Sequence, residues 1–138
     1  MEKLLITLLA ALMLVACRKN AELTPVDETL PMSAPGSVTL MGSFANGVHV
    51  TSGTVSLVKA ADGTQRLAFK DFKTESGPDL RVYLAEDKTA KNFIEVAQLT
   101  KSGTFSLPLA SDANPVQRKY VLIWCRQFTV LFGSAELQ

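Results

Sequence analysis

Residues 119–137 read KYVLIWCRQFTVLFGSAEL, and the alternation within this run decides the fold class. Side chains on an extended strand project to opposite faces with period two. Tyr120, Leu122 and Trp124 therefore share one face, and Val121, Ile123 and Cys125 share the other. Both sets are apolar, which predicts a strand buried on both sides. A second strand is expected over Gln127–Phe132, with Phe128, Val130 and Phe132 alternating against Thr129 and Leu131, and with Gly133-Ser134 closing it.

Upstream, the same period recurs in short pieces, and no segment sustains helical spacing for three turns. Gly103–Leu109 carries Phe105 and Leu107, and Pro108 marks an edge strand or a strand end because proline cannot donate to the ladder. Phe93–Leu99 is expected to be a further strand, although its opening could also be one helical turn. In Leu80–Ala85, Leu80, Val82 and Leu84 oppose Arg81, Tyr83 and Ala85, with the turn Gly77-Pro78-Asp79 before it. Gln65–Phe72 puts Leu67 and Phe69 on one face until Asp71 and Phe72 break the alternation, which predicts a bulge. Thr54–Lys59 and the stretch around Val38 and Leu40 complete the set, and Asn46-Gly47 predicts a tight hairpin because both residues tolerate positive φ. About eight or nine strands punctuated by Gly, Asn, Asp and Pro predict an all-β protein, a single small antiparallel β-sandwich or barrel-like domain over residues 37–138.

The first 16 residues have a different character. Lys3 precedes an apolar run from Leu4 to Ala16 that is too short to span a bilayer but fits the apolar core of a secretory leader. Leu14-Val15-Ala16-Cys17 resembles the bacterial lipobox, which implies cleavage before Cys17, lipidation of that cysteine and firm membrane attachment through several acyl chains. Arg18 and Lys19 follow without an aspartate at the second mature position, which by enterobacterial analogy favours the outer membrane. The expected location is the bacterial cell envelope, lipid-anchored. Residues 17–36, with Pro25, Pro31 and Pro35, are expected to form a lipidated N-terminus and an extended tether.

Cleavage removes Glu2 and Lys3 and leaves 13 basic and 12 acidic residues, a net charge of +1. The pI of 7.8 and the mixed charges exclude a nucleic-acid-binding face, which would carry a basic stripe. Of the two cysteines, Cys17 is expected to be consumed by lipid, which leaves Cys125 without an intramolecular disulfide partner.

Met41–Leu137 resembles the extracellular module called DM-thirteen, described as an electron-transfer domain and found beside DOMON domains in animals and alone in bacterial proteins. The resemblance is carried by Gly42-Ser43-Phe44 with His49 and Gly53 behind it, Leu67–Phe72, Gly77-Pro78-Asp79-Leu80 leading into Val82-Tyr83-Leu84, Val121–Cys125, and Phe128-Val130-Phe132-Gly133-Ala135-Leu137. It implies a β-rich fold with one characteristic cysteine acting in redox as a free thiol or as a ligand to a prosthetic group, and Cys125 stands at that position.

The residues themselves restrict this chemistry. A blue-copper centre needs two histidines, and the chain has one, His49. Covalent haem attachment needs C-x-x-C-H, which is absent; non-covalent haem needs an axial ligand, which His49, Cys125, Met32 or Met41 could supply, but no spacing selects one. The cofactor is thus unknown, no metal site is indicated, and the partner, protein or small molecule, is unidentified. A thioredoxin-like reaction needs a resolving cysteine that this chain lacks. Cys125 is the redox candidate, with Arg126 and Lys119 as electrostatic helpers and His49 and Asp79 as possible partners. The competing accounts are a cysteine that only packs, a histidine that satisfies a loop carbonyl, and an Asp79 that only caps its turn. No catalytic residue is assigned, and no nucleophile-elbow phrase indicates a hydrolase.

Overall fold

The computed structural model describes residues 21–28 and 36–138. The expected leader and Cys17 lie outside the described residues. Among the described residues there are ten strands: β1 Thr24–Asp27, β2 Ser37–Ser43, β3 Ala45–Asn46, β4 Thr51–Lys59, β5 Gln65–Thr74, β6 Leu80–Ala85, β7 Ile94–Gln98, β8 Lys101–Pro108, β9 Tyr120–Cys125 and β10 Val130–Glu136. They form a sandwich of two five-stranded sheets. The first has the order β1-β8-β5-β4-β2 and the second β3-β10-β9-β6-β7. The expected all-β sandwich is the observed architecture.

The core follows from the alternation. Val55 and Leu57 on β4, Leu67, Phe69 and Phe72 on β5, and Phe105 on β8 point inward from the first sheet. Leu80, Val82, Leu84, Val121, Ile123 and Cys125 meet them from the second. Phe69 lies at the centre of the aromatic packing, its ring 4.6 Å from Phe105, 5.4 Å from Phe72 and 5.8 Å from Phe44. β9 is the middle strand of its sheet and is covered on both faces. Leu122, on its outer face, is fully buried with Tyr83 and Ala85, while Tyr120 and Trp124 flank that cluster partly exposed.

The bulge expected near Asp71 is present. The register of β5 against β8 shifts between Phe69 and Phe72, and that of β4 against β5 shifts between Ser52 and Thr54. Asp71 and Gly53 both have positive φ, 51° and 104°, and a Cβ on Gly53 would lie 2.7 Å from the Phe72 Cα. β8 ends at Pro108 as expected.

Four expectations need correction. Part of the supposed tether is sheet: Thr24–Asp27 pairs parallel with Lys101–Thr104 at the edge of the first sheet. Its flanks are tied by Thr24 N–H to the Thr100 carbonyl (3.0 Å) and Glu28 N–H to the Thr104 carbonyl (2.8 Å), with an ion pair between Glu28 and Lys101. An extended segment already has the backbone shape an edge strand needs, and Leu23 and Val26 pack against the core.

Asn46-Gly47 does not close a two-residue hairpin. The chain leaves the first sheet after β2, pairs Ala45 and Asn46 with Ser134 and Gly133 in the second, and returns as β4. Asn46 Oδ1 accepts from the Thr51 N–H (2.9 Å), so the asparagine braces the return.

The segment after Cys125 is a turn, with Thr129 at φ 55°, and Phe128 is 59% exposed. β10 starts at Val130 and runs through Gly133 and Ser134 instead of ending there. Gly133 continues the strand because the Thr51 side chain occupies the space a Cβ would need, 2.4 Å away.

Lys119 cannot assist Cys125. Tyr120 pairs with Ala85 and Cys125 with Leu80, so the two lie at opposite ends of β9, and Lys119 binds Glu136 (2.5 Å).

Candidate functional site

Cys125 is the last residue of β9, where the apolar alternation stops and Arg126 turns the chain outward. It stands opposite Leu80 on β6 and Val130 on β10, is 0% exposed, and forms no disulfide. Its surroundings are the apolar core between the sheets.

Asp79, the last residue before β6, lies beside the turn that follows Cys125. Its Oδ1 accepts from Arg81 Nε (2.6 Å), its Oδ2 from Arg126 Nε (2.9 Å), and its carbonyl from the Arg126 backbone N–H (2.9 Å). Arg81 also reaches Glu95 (2.7 Å) on β7, so two carboxylates and two guanidinium groups form a chain of ion pairs. The hydrogen bond from Arg81, joined by that from Arg126, holds the Asp79 carboxyl below its ordinary value of 3.8. The same bond raises the pKa of Arg81.

A folded-state pKa below the unfolded one contributes stability that is complete above the unfolded value and is lost as pH falls through the folded one. Asp79→Asn is therefore expected to flatten the acid limb of the stability curve below about pH 4 and to leave its shape near neutrality unchanged. Urea unfolding between pH 2 and 7 checks this, and acid limbs of equal slope would contradict it.

His49 takes neither of its expected partners. Its Nδ1–H donates to Glu75 Oε2 (2.5 Å), and its ring packs on Phe132 with centroids 3.8 Å apart. That bond lowers the Glu75 pKa. The proposed pairs His49–Asp79 and His49–Cys125 are thus replaced by His49–Glu75 and by Asp79 with Arg81 and Arg126. A carboxylate already held by two guanidinium groups has little to gain from a third cation. Among the described residues, no group of three or more His, Cys, Asp and Glu side chains converges as a metal site. Met41, a candidate haem ligand, is 54% exposed on β2, and Met32 lies outside the described residues.

Glu75 and Glu95 were not singled out from sequence, and Phe132 was read as a strand residue and a carrier of the resemblance, with no contact to His49 expected. Arg81 had a signal, since it is two residues from Asp79 and so shares its face on an extended chain. Glu75 and His49 are 26 residues apart and Asp79 and Arg126 are 47 apart, so no local spacing marks either pair. A cavity of 590 Å³ opens between Glu22, Leu23 and Pro25 on one side and Lys73, Thr74 and Ser76 on the other, at the end of β5.

The fold and site define a small β-sandwich whose described residues hold one thiol, fully enclosed at a strand end. Residues 43–137 match the family described as Electron transfer DM13, and the chain belongs to that family. No curated protein and no solved structure matches it.

Proposed function

We propose that the mature protein is a lipid-anchored envelope protein whose DM13 domain exchanges electrons through the thiol of Cys125. The observation that carries this is the electron-transfer family match over residues 43–137, within which Cys125 is the one cysteine. The chemistry available to a single thiol is exchange with a disulfide on a partner protein. Cys125 gives its proton to solvent and its sulfur attacks one sulfur of the partner's disulfide. The partner's S–S bond breaks, a mixed disulfide forms, and the other sulfur leaves as a thiolate. A small-molecule thiol then attacks the sulfur of Cys125 and releases the partner's second thiolate, and a second such thiol frees Cys125, so that the partner's disulfide is reduced to two thiols while two small thiols become a disulfide. Because Cys125 is fully covered, the reaction takes place from an opened state. Anchoring rests on the lipobox-like Leu14-Val15-Ala16-Cys17.

The test uses the whole chain in a bacterial envelope. Cys17→Ala is expected to move the protein from the membrane to the soluble fraction. Cys125→Ala is expected to abolish mixed-disulfide trapping while keeping the fold. In purified protein, Cys125 is expected to react with a thiol reagent about 100-fold or more slowly when native than when denatured, as for a group exposed only by local opening. Full electron exchange by the Cys125→Ala variant would sink the proposal.

The burial of Cys125 at 0% among apolar side chains favours a second account, a noncatalytic binding module in which the cysteine only packs. Under it, the Cys125→Ala protein keeps its partner and its function.

A further inference from the structure

β1 and β2 follow one another in the chain but stand on opposite edges of the first sheet, whose order is β1-β8-β5-β4-β2. The ladders fix how far the connection between them has to reach. Asp27 stands opposite Thr104, so Glu28 is level with Phe105. Ser37 pairs with Lys59 and Lys59 with Gln65, whose carbonyl accepts the Leu109 N–H. Glu28 and Ser37 are therefore four strand spacings apart across the sheet, about 19 Å, and four residues apart along it, about 13 Å, which makes a straight span of about 23 Å. That line runs through β8, β5 and β4, and a chain that clears their side chains needs about 26 Å. Residues 29–35 give a greatest possible reach of about 31 Å from Glu28 to Ser37. The connection is nearly taut when β1 lies on the β8 of its own chain.

The β8 edge is shaped for this one segment. Gly103 has φ 90°, and a Cβ there would run into the Val26 carbonyl. Lys101 pairs with Glu28, and Leu23 and Val26 pack against the core. We propose that the β8 edge is the docking site for residues 22–28 of a second copy of this chain, giving a two-fold, strand-exchanged dimer. The proposal is independent of the role of Cys125. The second copy carries the same segment, so every bond between β1 and β8 is remade on exchange. What changes is the connection. Between two copies it has only to join one domain's β2 to its partner's β8, and the domains settle at the distance that suits it; short, drawn connections favour such exchange.

The test uses the full chain carrying Cys17→Ser and Cys125→Ala, so that introduced thiols stand alone. Asp27→Cys with one affinity tag and Thr104→Cys with another are unfolded together in urea, refolded by dilution and treated with a short bis-maleimide. The two positions are register partners, so a cross-linked heterodimer is expected as the main cross-linked product. In light scattering, Gly-Ser residues inserted between positions 33 and 34 are expected to weaken the dimer about 10-fold or more, because the longer connection closes without strain within one chain. Deleting residues 32–34 cuts the reach to about 21 Å, less than the span, and is expected to leave the dimer intact. Gly103→Ala is expected to remove the dimer, since it blocks the edge for either copy's strand.

The proposal is overturned if the mixed single-thiol variants give no heterodimer, or if Gly103→Ala folds and remains dimeric. It is also overturned if the deletion variant is a folded monomer in which Asp27→Cys and Thr104→Cys, placed in one chain, cross-link within it. The insertion and deletion lie outside the sheets, so they decide the matter even where Gly103→Ala fails to fold.

Discussion

Replacing Phe69 by alanine is expected to lower the unfolding free energy by about 4 kcal/mol, the range found when a fully buried phenylalanine is truncated. Phe69 is 0% exposed and its ring contacts those of Phe44, Phe72 and Phe105. Those neighbours come from β5 itself, from β8 and from the crossing after β2, so the void cannot close by moving one strand. A domain of this size has a net stability of about 5–15 kcal/mol, so the variant sits near the edge of folding. Phe69→Leu keeps much of the volume and should cost clearly less. Urea denaturation of the two variants measures the difference, and a loss below about 1.5 kcal/mol for Phe69→Ala would show that the aromatic cluster is not the mechanical centre of the core.

The second large effect is expected at Gly133. An alanine Cβ would lie 2.4 Å from the Cβ and 2.5 Å from the Oγ1 of Thr51. Thr51 has no room to retreat, being 3% exposed and bonded through Oγ1 to Thr74 Oγ1 (3.0 Å) and to the Phe132 carbonyl (3.2 Å). Gly133→Ala must push β10 and β4 apart where the two sheets meet, at a cost of about 3 kcal/mol. Combining it with Thr51→Gly removes the clashing atom, and a double-mutant cycle should return a favourable coupling above about 1 kcal/mol. Additive losses would place the strain elsewhere.

Much of the fold could be read from the sequence because most strands carry their own period-two signal. β4, β5, β6, β8 and β9 stand close to where alternation puts them, and the bulge at Asp71 was visible as a break in it. The misses share a cause. β1 is polar, short and contains Pro25, and its place is set by backbone bonds to β8 and by the fit of Leu23 and Val26, none of which has a local pattern. Asn46-Gly47 has hairpin chemistry, but Phe44 is drawn into the core between Phe69 and Phe72, and that redirects the chain into the other sheet. Gly133 looked like a stop signal because the Thr51 side chain that requires a glycine there comes from a strand 82 residues earlier in the chain.

The site divides in the same way. Cys125 was identifiable from its solitary position at a strand end, and Asp79 and His49 from the phrases around them. Of their partners, Arg81 stands two residues from Asp79, whereas Glu75 and Arg126 stand 26 and 47 residues from His49 and Asp79 and meet them only through the tertiary fold. The bulk of the burial around Cys125 also comes from both sheets, beyond what the alternation of one strand describes.

Under the proposed lipid anchoring at Cys17, the pairing of β1 with β8 would shorten the leash that joins the domain to the membrane. For a chain held by lipid at Cys17, a free segment up to Ser37 would allow a reach of at most about 70 Å. With Thr24 fixed to the sheet edge the reach is at most about 25 Å, and the volume the domain can search above the membrane shrinks about 20-fold. The leash also arrives at a definite pole. Glu22 and Leu23 lie beside Lys73, Thr74 and Ser76, at the end of β5 from which the chain crosses to Leu80, the ladder neighbour of Cys125. Under the lipid anchoring proposed above, the domain would turn the pole that carries Cys125 toward the bilayer, where a partner seated at the membrane surface would meet it first.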